Sequence, residues 1–144
     1  MAMVFSQNNS IEGLSTNPNT HPLLLDSLAA TCSAEIALRI AMHTRVLKAT
    51  LAKLAKHDSH EVRCAVGEHE QTPTEILWKL AQDEHPDVRF SLAENHNIPM
   101  EILKVLQNDE NPYVACRAQQ TISRLQSEVT SFTPNVSMSL AFAS

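Results

Sequence analysis

An all-α solenoid of about four helical repeats is the fold class predicted by this chain of 144 residues, and three observations carry that expectation. Val62, Val88 and Val114 stand 26 apart, as do Leu54, Leu80 and Leu106, and Pro73 returns as Pro99. The same step runs back through Ile36, Leu28 and the series Asn17, His43, His69 and Asn95, so the units extend from Asn17 to Leu125. A fixed period of this size marks units that cannot bury their apolar faces alone and stack on their neighbours. Helix-start signals recur on the same step, and the composition, 43% hydrophobic but only 4% aromatic, requires a core of aliphatic side chains.

Each unit reads as two short helices. Thr72, Pro73 and Glu75 form a start signal, with Thr72 as cap, Pro73 in the first helical position and Glu75 closing a capping box. Ile76, Leu77, Leu80 and Ala81 then make one apolar face of this helix A, repeated as Ile102, Leu103 and Leu106. Helix A ends near Asp83, because Pro86 disfavours helical geometry just before it. Ser59, His85 and Asn111 align as caps of helix B, with Pro86 and Pro112 just inside.

Helix B sorts its residues by angle. With Val62 at zero and about 100° per residue, Val66, Arg63, Gly67 and Cys64 fall near 40°, 100°, 140° and 200°, the core arc. The Gly67 position is Ala41 and Ala93 elsewhere, which predicts close approach of a neighbouring helix, though Gln119 breaks the pattern. On the same estimate Glu68, Glu61 and Ala65 fall at roughly 240°, roughly 260° and roughly 300°, the exposed arc. Their counterparts are Glu94, Asp87 and Ser91, then Gln120, Tyr113 and Arg117. Successive exposed arcs make a continuous polar strip, acidic in its middle, of the kind helical arrays use for binding.

The segments Asp58-Ser59-His60-Glu61-Val62-Arg63 and Asp83-Glu84-His85-Pro86-Asp87-Val88-Arg89, followed by Leu92-Ala93-Glu94-Asn95 and Ile98-Pro99-Met100-Glu101-Ile102-Leu103, resemble the bacterial leucine-rich repeat variant family. The resemblance covers Asn17 to Leu125 and implies short helical units in a right-handed superhelix, related in outline to HEAT repeats. The family unit is usually shorter, so the second helix is expected to be a fuller α-helix here. The founding type also carries an N-terminal cysteine-rich iron-sulfur segment. This chain has no cysteine before Cys32, and no cofactor is carried over.

The three cysteines cannot all pair. Leu38, Cys64, Phe90 and Cys116 share one position, where cysteine is read as a small buried hydrophobe, leaving Cys32 as the candidate reactive thiol. Arg63 and Arg89 lie between apolar stretches and are read as a structural ladder pairing with loop acids such as Asp58, Asp83 or Asp109. His43, His69 and Asn95 are read as a second structural ladder at helix ends. His57, His60 and His85 occupy different repeat positions without a cysteine, so no metal site is assigned.

No glycine-rich phosphate loop, Gly-x-Ser-x-Gly or His-Glu-x-x-His occurs, and no catalytic residue is assigned. The expected function is a non-enzymatic protein-interaction adaptor, with Glu61, Glu68, Trp78, Asp87, Glu94, Tyr113 and Arg117 as partner-binding residues. Trp78 lies about 130° from the centre of its helix's apolar face, and either anchors a partner or covers the C-terminal tail. The alternatives are a nucleic-acid-binding HEAT-like module, disfavoured by a net charge of -5 and the acidic strip, and an accessory subunit of a cofactor-handling enzyme.

Met1 to Ser10 shows no signal-peptide pattern and no apolar run reaches bilayer length, so a cytoplasmic protein without membrane contact is expected. Residues 1–16 and 126–144 fall outside the period and are read as caps or loose tails. Uncapped ends would favour self-association.

Overall fold

The computed structural model describes residues 11–30 and 33–132, and these are all-helical, without a strand. After α1 (11–16) come α2 (Pro22–Ala29), α3 (Ala34–Ala41), α4 (Lys48–Leu54), α5 (His60–Glu68), α6 (Thr74–Leu80), α7 (Pro86–Glu94), α8 (Met100–Leu106) and α9 (Pro112–Phe132). The boundaries keep the sequence period: α4, α6 and α8 begin at 48, 74 and 100 and end at 54, 80 and 106. Helices of seven residues are too short to persist alone in water, so the packing of each on its neighbours has to stabilise it.

That packing runs chiefly through the B helices, with α3 against α5, α5 against α7 and α7 against α9. Helices α4, α6 and α8 each lean on the B helices beside them, and α8 also packs along α9. The core is aliphatic, as the composition requires. Ile40, Leu51, Leu54, Val62, Val66, Leu80, Val88, Leu92, Ile102, Leu103 and Leu106 are buried, while Trp78 and Phe90 only pack against its edge. Gly67 permits the closest approach, since a Cβ there would lie 3.0 Å from Leu92 Cδ2. Its φ is not positive, so the glycine answers to space rather than to backbone geometry.

Three local expectations are corrected. Thr72 does not cap α6; Pro73 is the N-cap and the helix starts at Thr74. The Thr72 hydroxyl instead donates to the Val66 carbonyl at 2.5 Å, closing the turn after α5, as Thr20 does to Leu14 at 2.7 Å. Ala65 and Ser91, assigned to the exposed arc, are buried, because B helices flank each other on that side. The arc buried on α5 therefore runs from about -60° to about 140°, and the Cys64 position falls at its margin. Hence Leu38, Cys64 and Phe90 are only half-buried and Cys116 is exposed, contrary to the reading of that position as core. Helix α9 runs unbroken past residue 125 to Phe132. Cys32, residues 1–10 and 133–144, and the side chain of Phe132 lie outside the described residues.

Helix A does end where the proline spacing places it. After Leu80 the chain tightens, Asp83 N donating to Leu80 O at 3.1 Å, and the turn recurs at His57 to Leu54 and Asp109 to Leu106. His85 Nδ1 then accepts from Asp87 N at 3.2 Å and Asn111 Oδ1 from Tyr113 N at 2.9 Å, capping α7 and α9.

One polar link joins α2 to α4. Asp26 accepts from Thr50 Oγ1 at 2.6 Å and from Lys53 Nζ at 2.9 Å. The bond from Lys53, with that from Thr50, lowers the Asp26 pKa below its ordinary value despite some opposing desolvation. A carboxylate with a depressed folded pKa contributes stability that is present above its unfolded pKa and lost as pH falls through the folded one. Denaturant melts from pH 7 down to about pH 2 should show an Asp26→Asn variant less stable at neutral pH and converging on wild type below about pH 4; a constant difference across that range would refute the linkage.

Candidate functional site

Two ladders cross successive helical units and need to be separated from any binding surface. In the first, Arg63 Nε and Nη2 donate to Asp83 Oδ2 and Oδ1 at 2.8 and 3.1 Å, while Nη1 donates to the carbonyls of His57 and Asp58 at 2.7 and 3.1 Å. Arg89 repeats the pattern with Asp109, and with the carbonyls of Asp83 and Glu84. Of the acids named from the sequence, the partner is the one in the following loop. Asp58 contributes only its carbonyl to Arg63. Both guanidinium pKa values are raised, first by the hydrogen bond to the aspartate. Asp83 Oδ1 and Asp109 Oδ1 also accept from the amides of His85 and Asn111, so each bidentate pair holds the start of the next B helix. One unit earlier the positions of Arg63 and Asp83 are Ala37 and His57. His57 Nδ1 there accepts from Ser59 N at 3.0 Å, keeping the turn without a charge where the arginine is missing.

The second ladder uses neutral groups. His43 Nε2 meets Asn17 O at 2.7 Å, His69 Nε2 meets His43 O at 3.0 Å, and Asn95 Nδ2 donates to Gly67 O at 3.1 Å. On the other side, His43 Nδ1, His69 Nδ1 and Asn95 Oδ1 accept from the amides of Arg45, Gln71 and Asn97. Those amide donors require the lone pair on Nδ1 and so place the histidine proton on Nε2, facing the carbonyl. Thr121 is a further rung, its hydroxyl donating to Ala93 O at 2.6 Å. Sequence reading missed it, although one more step of 26 from Asn95 leads directly to it.

What remains on the B helices is a surface in three rows. Glu35, Glu61, Asp87 and Tyr113 form one edge, Met42, Glu68, Glu94 and Gln120 the other, and all are exposed. Between them runs the seam of Leu38, Cys64, Phe90 and Cys116. Tyr113 is 78% exposed and Met42 67%, so the rows end in large uncovered side chains. Among the described residues Glu61 and Glu68 make no ion pair, whereas Glu35 bonds Arg39 at 2.8 Å and Glu94 bonds Arg117 at 3.1 Å. Arg117 is therefore partly neutralised within the face, and its buried Nε has no hydrogen-bond partner. Trp78 is half-buried on α6, outside these rows, and packs against the core. Whether the tail covers it lies outside the described residues.

The Cys64 thiol is pushed up in pKa, mainly by burial; a hydrogen bond with Ser91 opposes this, while Glu68, Asp87 and Asp83 reinforce it. A thiol with little thiolate character is a poor nucleophile and a poor redox sensor. Beside it, His60 and His85 stack with ring centroids 3.9 Å apart and planes within 3°. The Asp87 carboxylate stands 3.9 Å from His60 Nε2 and 3.8 Å from His85 Nδ1. The sequence reading set these histidines apart because they occupy different repeat positions. Counted from His60, however, His85 falls just short of one full period and Asp87 just beyond it. Both therefore reach His60 across adjacent helices, and His57 is left out.

Comparison of the chain with protein-family models, with curated proteins and with solved structures returns no match. No helix among the described residues is long and apolar enough to cross a membrane.

Removing Arg63 leaves the nearly buried Asp83 without its counter-charge, so Arg63→Ala should lose on the order of 3 kcal/mol in denaturant titration, with part recovered in Arg63→Ala/Asp83→Asn; an unchanged midpoint would deny the pair a structural role. In the native protein Cys116 should alkylate well before Cys64, read by peptide mass spectrometry at pH 8; equal rates would mean that Cys64 is not shielded.

Proposed function

We propose that the chain is a small α-solenoid of the leucine-rich repeat variant type that acts without catalysis, docking a protein or peptide on its B-helix face. The observation that carries this reading is the three-row surface. A half-buried apolar seam of Leu38, Cys64 and Phe90 lies between two exposed rows that hold Glu61, Asp87, Glu68 and Glu94. An apolar strip with acidic margins suits a segment that presents apolar side chains flanked by Lys or Arg. The seam supplies buried area, and the carboxylates supply orientation and encounter rate. Tyr113, at the end of one row, is suited to be an anchor.

The resemblance of the repeat motifs to that family and the 26-residue spacing of the helices support the solenoid reading. Nucleic acid is the weaker alternative, because the same carboxylates would face its phosphates and no counterion release would reward the contact. The shallow depression lined by Met42, Thr44, Ala65, Glu68 and His69 is open to solvent, which gives little support to an accessory role around a cofactor.

The test is affinity capture from native extract with wild type beside a Glu61→Lys/Glu68→Lys variant of unchanged circular dichroism, the eluates read by mass spectrometry and stained for nucleic acid. Captured proteins should be lost on charge reversal, and binding of the recovered partner should weaken with salt. Nucleic acid in the wild-type eluate that increases on reversal would favour the alternative, and an identical eluate would remove this face from consideration.

A further inference from the structure

We infer that His60, His85 and Asp87 form a binding site for a borderline divalent transition ion, zinc being the best match, that clips α5 to α7. One donor atom from each of the three lies within 4.8 Å of both others. Zinc with bonds of about 2.0–2.1 Å in tetrahedral geometry needs ligand atoms about 3.3 Å apart. The Asp87 carboxylate, at 3.9 and 3.8 Å from the two ring nitrogens, thus stands about half an ångström too far from each. Closing these gaps, and drawing together two ring nitrogens that stand within 4.8 Å of each other, calls for rotation of half-exposed side chains about χ1 and χ2.

The protonation pattern already suits a metal. His85 Nδ1 accepts from Asp87 N at 3.2 Å, which requires a lone pair on Nδ1, the nitrogen that faces the Asp87 carboxylate. A cation there would replace a long capping bond with a metal–nitrogen bond, and no proton would have to leave that nitrogen. Stacking gathers the two imidazoles from separate helices, 3.9 Å centroid to centroid, which meets one of the costs of binding. Because an ion lies in the plane of each ring it binds, the parallel rings must tilt apart at their nitrogen edges to share it. Two nitrogens and one carboxylate oxygen make a borderline donor set that favours Zn²⁺, with Cu²⁺ and Ni²⁺, over the oxygen-seeking Ca²⁺ and Mg²⁺. Water would complete the coordination, since all three side chains reach solvent.

The site shares Asp87 with the docking face but neither of the residues reversed in its test, Glu61 and Glu68, so failure of one reading is distinguishable from failure of the other. Nor is the grouping shared by the other units. The His60 position is Ala34, Pro86 and Pro112 there, and the His85 position is Ser59 and Asn111.

The experiment is titration of the metal-free full chain with Zn²⁺ by calorimetry, with thermal melts at rising Zn²⁺, repeated for His60→Asn, His85→Asn and Asp87→Asn and for His96→Asn as a control. Asn occupies the His85 position naturally as Asn111, so His85→Asn keeps a capping side chain. One equivalent of zinc should bind and raise the melting temperature with concentration. Each of the three variants should weaken binding by at least about tenfold, the lower end of what an outer-shell partner contributes, while His96→Asn leaves it unchanged. Affinity retained in all three variants, equal response to Ca²⁺, or no saturable binding below millimolar zinc would overturn the site.

Discussion

Everything in this fold depends on contacts between one pair of helices and the next, because most of the helices are too short to stand alone. Helices of seven to nine residues, such as α4 to α8, form too few internal hydrogen bonds to offset nucleation. What holds them is a register in which successive B helices pack on one another, with Val62 and Val66 buried and Gly67 close against Leu92 of the next. At Gly67 the Leu92 side chain approaches so closely that even a methyl group would press on it. The cost of glycine within a helix is accepted there for the sake of that contact.

Two polar ladders make the register specific. Apolar packing alone would tolerate small slips between successive units, whereas the bidentate Arg63–Asp83 and Arg89–Asp109 pairs are matched only when each loop sits against the start of the next B helix. The His43, His69 and Asn95 rungs do the same for the opposite ends of those helices without charge, and Thr121 does so from within α9. Every such side chain faces two ways, to its own turn or helix and to a neighbouring unit, the following one for the arginines and the preceding one for the other rungs, so each removes buried polar groups that would otherwise lack partners. Where the arginine gives way to Ala37, its acid gives way to His57, and no uncompensated charge is left behind.

The same register composes the surface. Since equivalent residues recur one helix apart, any bias at an exposed position becomes a row, and two acidic rows with an apolar seam emerge from a handful of glutamates. Tyr113 and Met42 mark the ends of those rows. Offsets of one residue from the period have a different effect: they place unlike positions of neighbouring units side by side, and His60, His85 and Asp87 meet for that reason.

The helical class, the step of 26, the aliphatic core and the two ladder positions are all legible in the chain before it folds. They depend on spacing and local chemistry, which a single line of letters records. How far the buried arc of helix B extends is another matter, since it depends on flanking helices. Packing buried Ala65 and Ser91 and left Cys116 in solvent. It also made Thr72 close a turn instead of capping α6, because a carbonyl six residues back competes for the hydroxyl. Which loop acid each arginine would take was open in the sequence, where Asp58 and Asp83 are both near. The choice fell to Asp83 because two oxygens and a backbone amide converge there at once, an arrangement that exists only after the units have packed.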